Sequence, residues 1–104
     1  MLGMKIEHGK ALVDENILDQ NLFSGLDLSK TDAIVRNNQS SQNNVGIYVF
    51  GGGSVEIKEN EVFKNKLNGI EVRTPAKFKS ISGNTVKNNE NNGTNLNYHV
   101  WKYC

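Results

Sequence analysis

The sequence predicts an all-β solenoid, in which the chain winds in stacked coils joined by parallel strands. One observation is a repeated motif of glycine, an apolar residue, any residue and a second apolar residue, spaced by 21–24 residues. The copies begin at Gly3, Gly25, Gly46, Gly69 and Gly93. A second observation is that apolar and polar residues alternate over runs too short for a helix. One such coil cannot bury its apolar residues, whereas stacked coils bury a continuous column.

A third observation is that asparagine recurs at fixed positions of the repeat. Nine residues before the last four glycines stand Asn16, Asn37, Asn60 and Asn84, and five residues after these stand Asn21, Gln42, Asn65 and Asn89. Asparagine tolerates left-handed backbone conformations, so it can turn the chain between two strands. Its amide group both donates and accepts hydrogen bonds, so stacked asparagines can bond along the coil axis. We therefore predict an internal ladder of Asn16, Asn37, Asn60 and Asn84.

Each coil is predicted to contain three short strands. In the strand after each glycine, alternation places Ile70 and Val72 on the core side and Glu71 on the outer side. The strand before each asparagine is predicted to bury Val13, Ile34, Ile57 and Ile81. The strand after each asparagine is predicted to bury Leu18, Val62 and Val86, with Gln39 in the equivalent position of the second coil. Because Gln39 is polar, we expect a bulged or loosely paired strand there.

The motif Gly69-Ile70-Glu71-Val72 and the preceding run Val55-Glu56-Ile57-Lys58-Glu59-Asn60-Glu61-Val62 resemble the repeat of right-handed parallel β-helix proteins. These include the pectate-lyase-like superfamily, the NosD-type periplasmic proteins and the β-helix regions of certain F-box-only proteins. The resemblance implies a right-handed parallel β-helix of about four coils. It does not imply one activity, because this architecture hosts both polysaccharide lyases and non-catalytic binding proteins.

The 104 residues are predicted to form a single domain. The repeat coils extend over about residues 3–96, so the chain begins within a coil, and end-to-end stacking with another β-helix is one expected contact. Residues 97–104 are rich in aromatic residues and depart from the repeat. We expect them to cover the apolar end of the last coil, with a disordered tail as the alternative.

Composition excludes several function classes. The net charge is +1, with acidic and basic residues interspersed, so no basic stripe for nucleic acid is present. No run is long and apolar enough to cross a membrane. The lone Cys104 excludes an internal disulfide, and no signal peptide is visible, so an intracellular location is favoured over export. His8, His99 and Cys104 lack metal-site spacing, so no metal site is predicted.

The predicted binding residues lie on the outer side of the strands that follow the glycines. Asp27, Tyr48 and Glu71 occupy the same position in successive coils, and Phe50 and Arg73 lie two residues further along their strands. We expect all five to share one exposed patch. Aromatic rings beside charged groups are suited to stacking on a sugar ring or to binding a peptide.

An enzymatic alternative uses three of the same residues. Asp27 and Glu71 would lie roughly 9.6 Å apart across two coils of ~4.8 Å each. That is close to the carboxylate separation of inverting glycosidases, about 6.5–9.5 Å. By resemblance to the lyases, Asp27, Glu71 and Arg73 would form the catalytic set, with calcium as a cofactor of this alternative alone. Against it, Tyr48 lies between the two acids, where an attacking water would have to fit.

The function predicted from the sequence is therefore a non-catalytic interaction module for a protein or glycan partner. The alternatives are a polysaccharide lyase or glycoside hydrolase fragment and a structural segment of a longer solenoid. A solvated face without a ligand, in which Lys5 and Asp27 simply balance each other, also remains open.

Overall fold

The computed structural model describes residues 3–50, 53–73, 77–90, 94–96 and 99–101. Every element in this part of the chain is a strand. The strands are β1 (Met4–Asp14), β2 (Ile17–Asp19), β3 (Ser24–Arg36), β4 (Gln39–Ser41), β5 (Val45–Phe50), β6 (Ser54–Lys58), β7 (Glu61–Phe63), β8 (Ile70–Val72), β9 (Lys77–Ser82), β10 (Thr85–Lys87), β11 (Thr94–Leu96) and β12 (His99–Trp101). The predicted all-β solenoid is confirmed.

Three parallel ladders form the three faces of the solenoid. The first, which we call the glycine face, contains the first halves of β1 and β3 together with β5, β8 and β11. The second face contains the second halves of β1 and β3 with β6 and β9. The third face has the order β10-β7-β4-β2. The second and third faces contain four strands each and the glycine face contains five, so the described part of the chain makes about three turns, slightly fewer than the predicted four.

The C-terminal part of the chain departs from the parallel pattern. Strand β12 pairs antiparallel with β11, with Asn95 opposite Val100. Residues 97, 98 and 102–104 of the expected aromatic cap lie outside the described residues.

The core is a continuous column of aliphatic side chains. Its buried members are Val13, Leu18, Leu26, Leu28, Ala33, Val35, Ile47, Val49, Val55, Ile57, Val62, Ile70, Val72 and Val86. Val35, rather than the predicted Ile34, lies between Val13 and Ile57, and Ile34 is 38% exposed on the outer side of the same strand. Each fully buried aliphatic side chain contributes about 1.5–3 kcal/mol to stability.

Two asparagine ladders run along the axis, and the predicted one was wrong in the second coil. The first ladder is Asn16, Asn38, Asn60 and Asn84, and the second is Asn21, Asn43, Asn65 and Asn89. Asn38 Nδ2 donates to Asn60 Oδ1 at 2.9 Å and to the Val13 carbonyl at 2.9 Å. Asn37 and Gln42, the residues predicted for these columns, are exposed.

The residue before each ladder asparagine makes the turn. Glu15, Gln20, Asn37, Gln42, Glu59, Lys64 and Asn88 all have φ between 55° and 57°, in the left-handed region. Gly83 precedes Asn84 with φ 66°. The prediction that the ladder asparagines themselves adopt the left-handed conformation was therefore wrong. Their side chains supply the hydrogen bonds, while the preceding residue changes the direction of the chain.

Strand β4 is paired regularly on both sides, contrary to the expected bulge. Ser40, not Gln39, is the buried residue opposite Leu18 and Val62. The Ser40 hydroxyl donates to the Gly46 carbonyl at 2.8 Å and accepts from Asn43 Nδ2 at 3.0 Å. A polar residue is tolerated here because its hydroxyl has both partners.

The repeat glycines Gly25 and Gly46 are required because the neighbouring coil approaches their backbone closely. A Cβ atom at Gly46 would lie 2.5 Å from Val62 Cγ1 and 2.6 Å from the Gly69 carbonyl oxygen. At Gly25 it would lie 2.2 Å from Ser40 Oγ. These separations are too short for any side chain, so the third face and the second asparagine ladder pack directly against the backbone at the start of the glycine face.

Candidate functional site

Strand register places three of the predicted site residues in one row across the glycine face. Asp27 pairs with Tyr48, and Tyr48 pairs with Glu71. Lys5 extends the row on the other side of Asp27. The prediction that Asp27, Tyr48 and Glu71 occupy the same position in successive coils is therefore confirmed. It succeeded because the repeat glycine fixes where the alternation of each strand begins.

Glu71 is buried, which corrects the expectation that the whole row is exposed. Only 5% of the residue is accessible. Its Oε1 accepts a hydrogen bond from Asn68 Nδ2 at 2.6 Å, and its Oε2 accepts from Arg73 Nε at 2.5 Å. Asn68 and Arg73 flank the strand on both sides and cover the carboxylate. The hydrogen bond to Glu71 raises the pKa of the Arg73 guanidinium, and the attraction between the two charges raises it by a smaller amount.

Tyr48 and Phe50 form an aromatic pair on strand β5. Their ring centroids lie 6.5 Å apart, and the ring planes are nearly parallel, at 12°. Phe50 is exposed and Tyr48 is partly buried. Burial raises the pKa of the Tyr48 hydroxyl, with a smaller opposing effect of Arg73, so the hydroxyl remains a hydrogen-bond donor at neutral pH.

A groove of about 460 Å³, which we call the glycine-face groove, adjoins this row. Its lining residues are Phe23, Ser24, Asp27, Asn44, Val45, Tyr48, Leu67, Glu71 and Arg73. Phe50 lies beside the groove through its stacking on Tyr48 rather than in its lining. The structure thus brings together Asp27, Tyr48, Glu71 and Arg73.

Sequence reasoning missed the turn side of this groove. Phe23, Asn44 and Leu67 each stand two residues before a repeat glycine, in the turn that leads into the glycine face. Phe23 is 60% and Leu67 45% exposed, so both present apolar surface on the turn side of the groove. Extending the alignment two residues upstream of each glycine would have found them.

Asp27 differs from the other charged groups near the groove. Burial raises the pKa of its carboxyl group, while the nearby Lys5 lowers it and Glu7 raises it further. The Lys5 ammonium lies 3.8 Å from the Glu7 carboxylate. Arg73 is paired with Glu71. Among the described residues, the Asp27 carboxylate has neither a hydrogen bond nor an ion pair.

A second groove, of about 380 Å³, lies at the turns of the first asparagine ladder. It is lined by the acidic residues Glu15, Glu59 and Glu61, together with Asn16, Ile17, Asn37, Asn38 and Gln39. Within the part of the chain that the structure describes, no group of three or more histidine, cysteine, aspartate or glutamate side chains is arranged to hold a metal ion. The described residues also contain no helix of the length and apolarity that a membrane span requires.

The parallel ladders and stacked coils define a β-solenoid protein. The chain belongs to the right-handed β-helix family, because a family model described as a right-handed beta helix region matches residues 3–100. This match confirms the resemblance of the repeat to right-handed parallel β-helix proteins as a class. No curated protein and no solved structure gave a significant match.

Proposed function

We propose that the chain is a non-catalytic binding module that presents the glycine-face groove to a protein or glycan partner. The observation that carries this proposal is the groove itself. It joins exposed apolar turn residues, a partly buried tyrosine and charged groups within one concave surface. Apolar and aromatic groups supply contact area in such sites, and a few polar groups fix the orientation of the ligand.

The groove is built on rigid elements, which suits it to binding. Tyr48 and Asp27 lie on strands that are paired within the same ladder, and the adjoining turns are held by the second asparagine ladder. Asn44 and Val45 both donate their amide hydrogens to the Phe23 carbonyl oxygen, at 2.7 and 3.2 Å. Because these contacts hold the two sides of the groove in place, a ligand would pay little ordering cost on binding.

The test is the loss of binding in Tyr48→Ala. ¹⁵N-labelled protein is titrated with a panel of neutral oligosaccharides, acidic peptides and basic peptides, and amide shifts are recorded. At least one probe is expected to shift the amides of Asp27, Tyr48 and Arg73. Tyr48→Ala should weaken the affinity for that probe by about tenfold or more, because the substitution removes the central aromatic ring of the groove.

Phe63→Ala, on the third face, is the matched control and should bind as the unaltered chain does. Both variants should retain nearly the same melting temperature. Undiminished binding by Tyr48→Ala, or silence of the groove amides throughout the panel, would contradict the proposal. A Tyr48→Ala variant that failed to fold would contradict the surface position of Tyr48.

The lyase or hydrolase alternative has less support. Of its catalytic set, Asp27, Glu71 and Arg73, the last two are paired with each other, and Asn68 binds the other oxygen of Glu71. A carboxylate with both oxygens engaged is poorly placed to accept a proton or attack a sugar carbon. Calcium is a proposed cofactor only of this lyase or hydrolase alternative.

A second role, end-to-end stacking with another β-helix, is favoured by the outer edge of strand β1, which no other described strand covers. Strand β1 pairs with β3 on one side and with no other described strand. In each inner coil, the ladder asparagine accepts hydrogen bonds from the asparagine of the coil before it, as Asn38 Oδ1 does from Asn16 N and Nδ2. Among the described residues, Asn16 Oδ1 and Asn21 Oδ1 have no such donor.

An added coil on this side would supply those donors and pair with β1. We therefore expect the molecular mass measured by sedimentation equilibrium to rise with protein concentration. The Tyr48→Ala variant should associate equally well, since Tyr48 lies away from this edge. A monomer at every concentration would argue against stacking between copies of this chain.

A further inference from the structure

We infer that the glycine-face groove binds a basic side chain, a lysine or arginine of a partner polypeptide, with its cationic group against Asp27 and its aliphatic stem along Phe23 and Leu67. This inference rests on the proposed function, because it names the ligand class of the same groove. Three features of the groove support it: its charge balance, the burial of Asp27 and the apolar turn residues.

The charge balance favours a cation. Five charged groups lie on or beside the groove, namely Lys5, Glu7, Asp27, Glu71 and Arg73. Lys5 pairs with Glu7, and Arg73 pairs with Glu71. Among the described residues, these two pairs cancel, and Asp27 leaves the five groups with one net negative charge. Lys5 attracts the Asp27 carboxylate but forms its ion pair with Glu7, so Asp27 has no ion pair of its own in this part of the chain.

The partial burial of Asp27 suits that charge to recognition of a ligand. Its carboxylate has lost part of its hydration, as the raised pKa of the group reflects, without gaining a hydrogen-bond donor in exchange. A neutral ligand would displace water from the carboxylate and replace it only with uncharged hydrogen bonds, and an acidic ligand would add charge repulsion. A guanidinium or ammonium group would replace the lost hydration with charge-assisted hydrogen bonds. Acidic polysaccharides are disfavoured for the same reason.

The turn residues suit the rest of a basic side chain. Lysine and arginine bury their aliphatic stems along apolar surface while the charged end remains in a polar environment. Phe23 and Leu67 provide exposed apolar surface on the turn side of the groove, and Asp27 lies on its strand side. The Tyr48 ring lies beside Asp27 in the same row, where a cation can also interact with its face.

The test compares two dipeptides that differ in charge and hardly in shape. ¹⁵N-labelled protein is titrated with N-acetyl-leucyl-arginine amide and with the citrulline analogue, in which a neutral urea group replaces the guanidinium. The arginine peptide is expected to shift the amides of Asp27, Tyr48 and Leu67 and to bind at least about tenfold more tightly, as one charge-assisted hydrogen bond would give. Equal affinity of the two peptides would overturn the inference.

Asp27→Asn supplies the second measurement. This variant keeps the shape of the side chain and removes its charge, so it should bind the arginine peptide no better than the citrulline peptide. Glu61→Gln, which removes an exposed carboxylate from the third face, should bind the arginine peptide as the unaltered chain does. Asp27→Asn should melt at the same temperature or slightly higher, since it removes a partly desolvated charge. Full affinity of Asp27→Asn for the arginine peptide would refute the role of Asp27.

The same titrations separate this inference from the proposed function. If neutral oligosaccharides shift the groove amides and the arginine peptide does not, the chain is a binding module of another specificity and the inference is wrong. If no probe shifts a groove amide, both are wrong. The comparison of the two peptides on the unaltered chain remains decisive even if Asp27→Asn does not fold.

Discussion

Asn37 and Asn38 are adjacent in the chain and have opposite structural roles. Asn38 is buried, and its amide group connects Val13, Asn16 and Asn60. Asn37 is exposed, has φ 55° and donates a hydrogen bond to Asp14 Oδ1 at 3.1 Å. One asparagine thus satisfies buried polar groups of three coils, while the other turns the backbone and faces water.

This difference predicts unequal effects of substitution. Asn38→Ala would remove the acceptor of the Asn16 backbone and side-chain amides and the side-chain donor to the Val13 carbonyl, while Asn60 Oδ1 would keep the Asn38 backbone N–H as its donor. It should therefore lower the free energy of unfolding by about 2–4 kcal/mol. Glycine adopts the left-handed conformation of Asn37 without steric cost, so Asn37→Gly should change the free energy of unfolding by less than about 1 kcal/mol. Urea denaturation of the two variants measures both values. A larger loss for Asn37→Gly would mean that the coil register is off by one residue.

At the scale of the element, one shortened turn explains what sequence reasoning got wrong. Gly25 and Gly69 stand four positions after Asn21 and Asn65, but Gly46 stands only three positions after Asn43. An alignment anchored on Gly46 therefore assigns each earlier position of the second coil to the residue one place too early in the chain. That single shift moved the second-coil assignments to Ile34, Asn37, Gln39 and Gln42. Alignment on the asparagines would have placed the deletion in the turn.

The site was predictable where it lies on strands and not where it lies on turns. Asp27, Tyr48 and Glu71 follow directly from alternation after the repeat glycines, and the strand register agrees. The burial of Glu71 depends on how Asn68 and Arg73 fold over it, and no periodicity encodes that contact. The apolar turn residues Phe23 and Leu67 were overlooked because turns of a solenoid are usually polar.

At the scale of the whole molecule, the solenoid turns a periodic sequence into a row of neighbouring side chains. Residues that are 21–23 positions apart in the chain, such as Asp27, Tyr48 and Glu71, become neighbours across the glycine face. The groove, the position of Asp27 within it and the role of each ladder asparagine all depend on this register. A shift of one residue would send Tyr48 into the core and Ile47 to the surface.

Nuclear Overhauser effects between backbone protons of successive coils measure that register directly. The structure predicts contacts that link Asp27 to Tyr48 and Tyr48 to Glu71 on the glycine face, and Ser40 to both Leu18 and Val62 on the third face. Contacts that place Gln39 between Leu18 and Val62, or the absence of contacts between coils, would contradict the fold and the candidate site together.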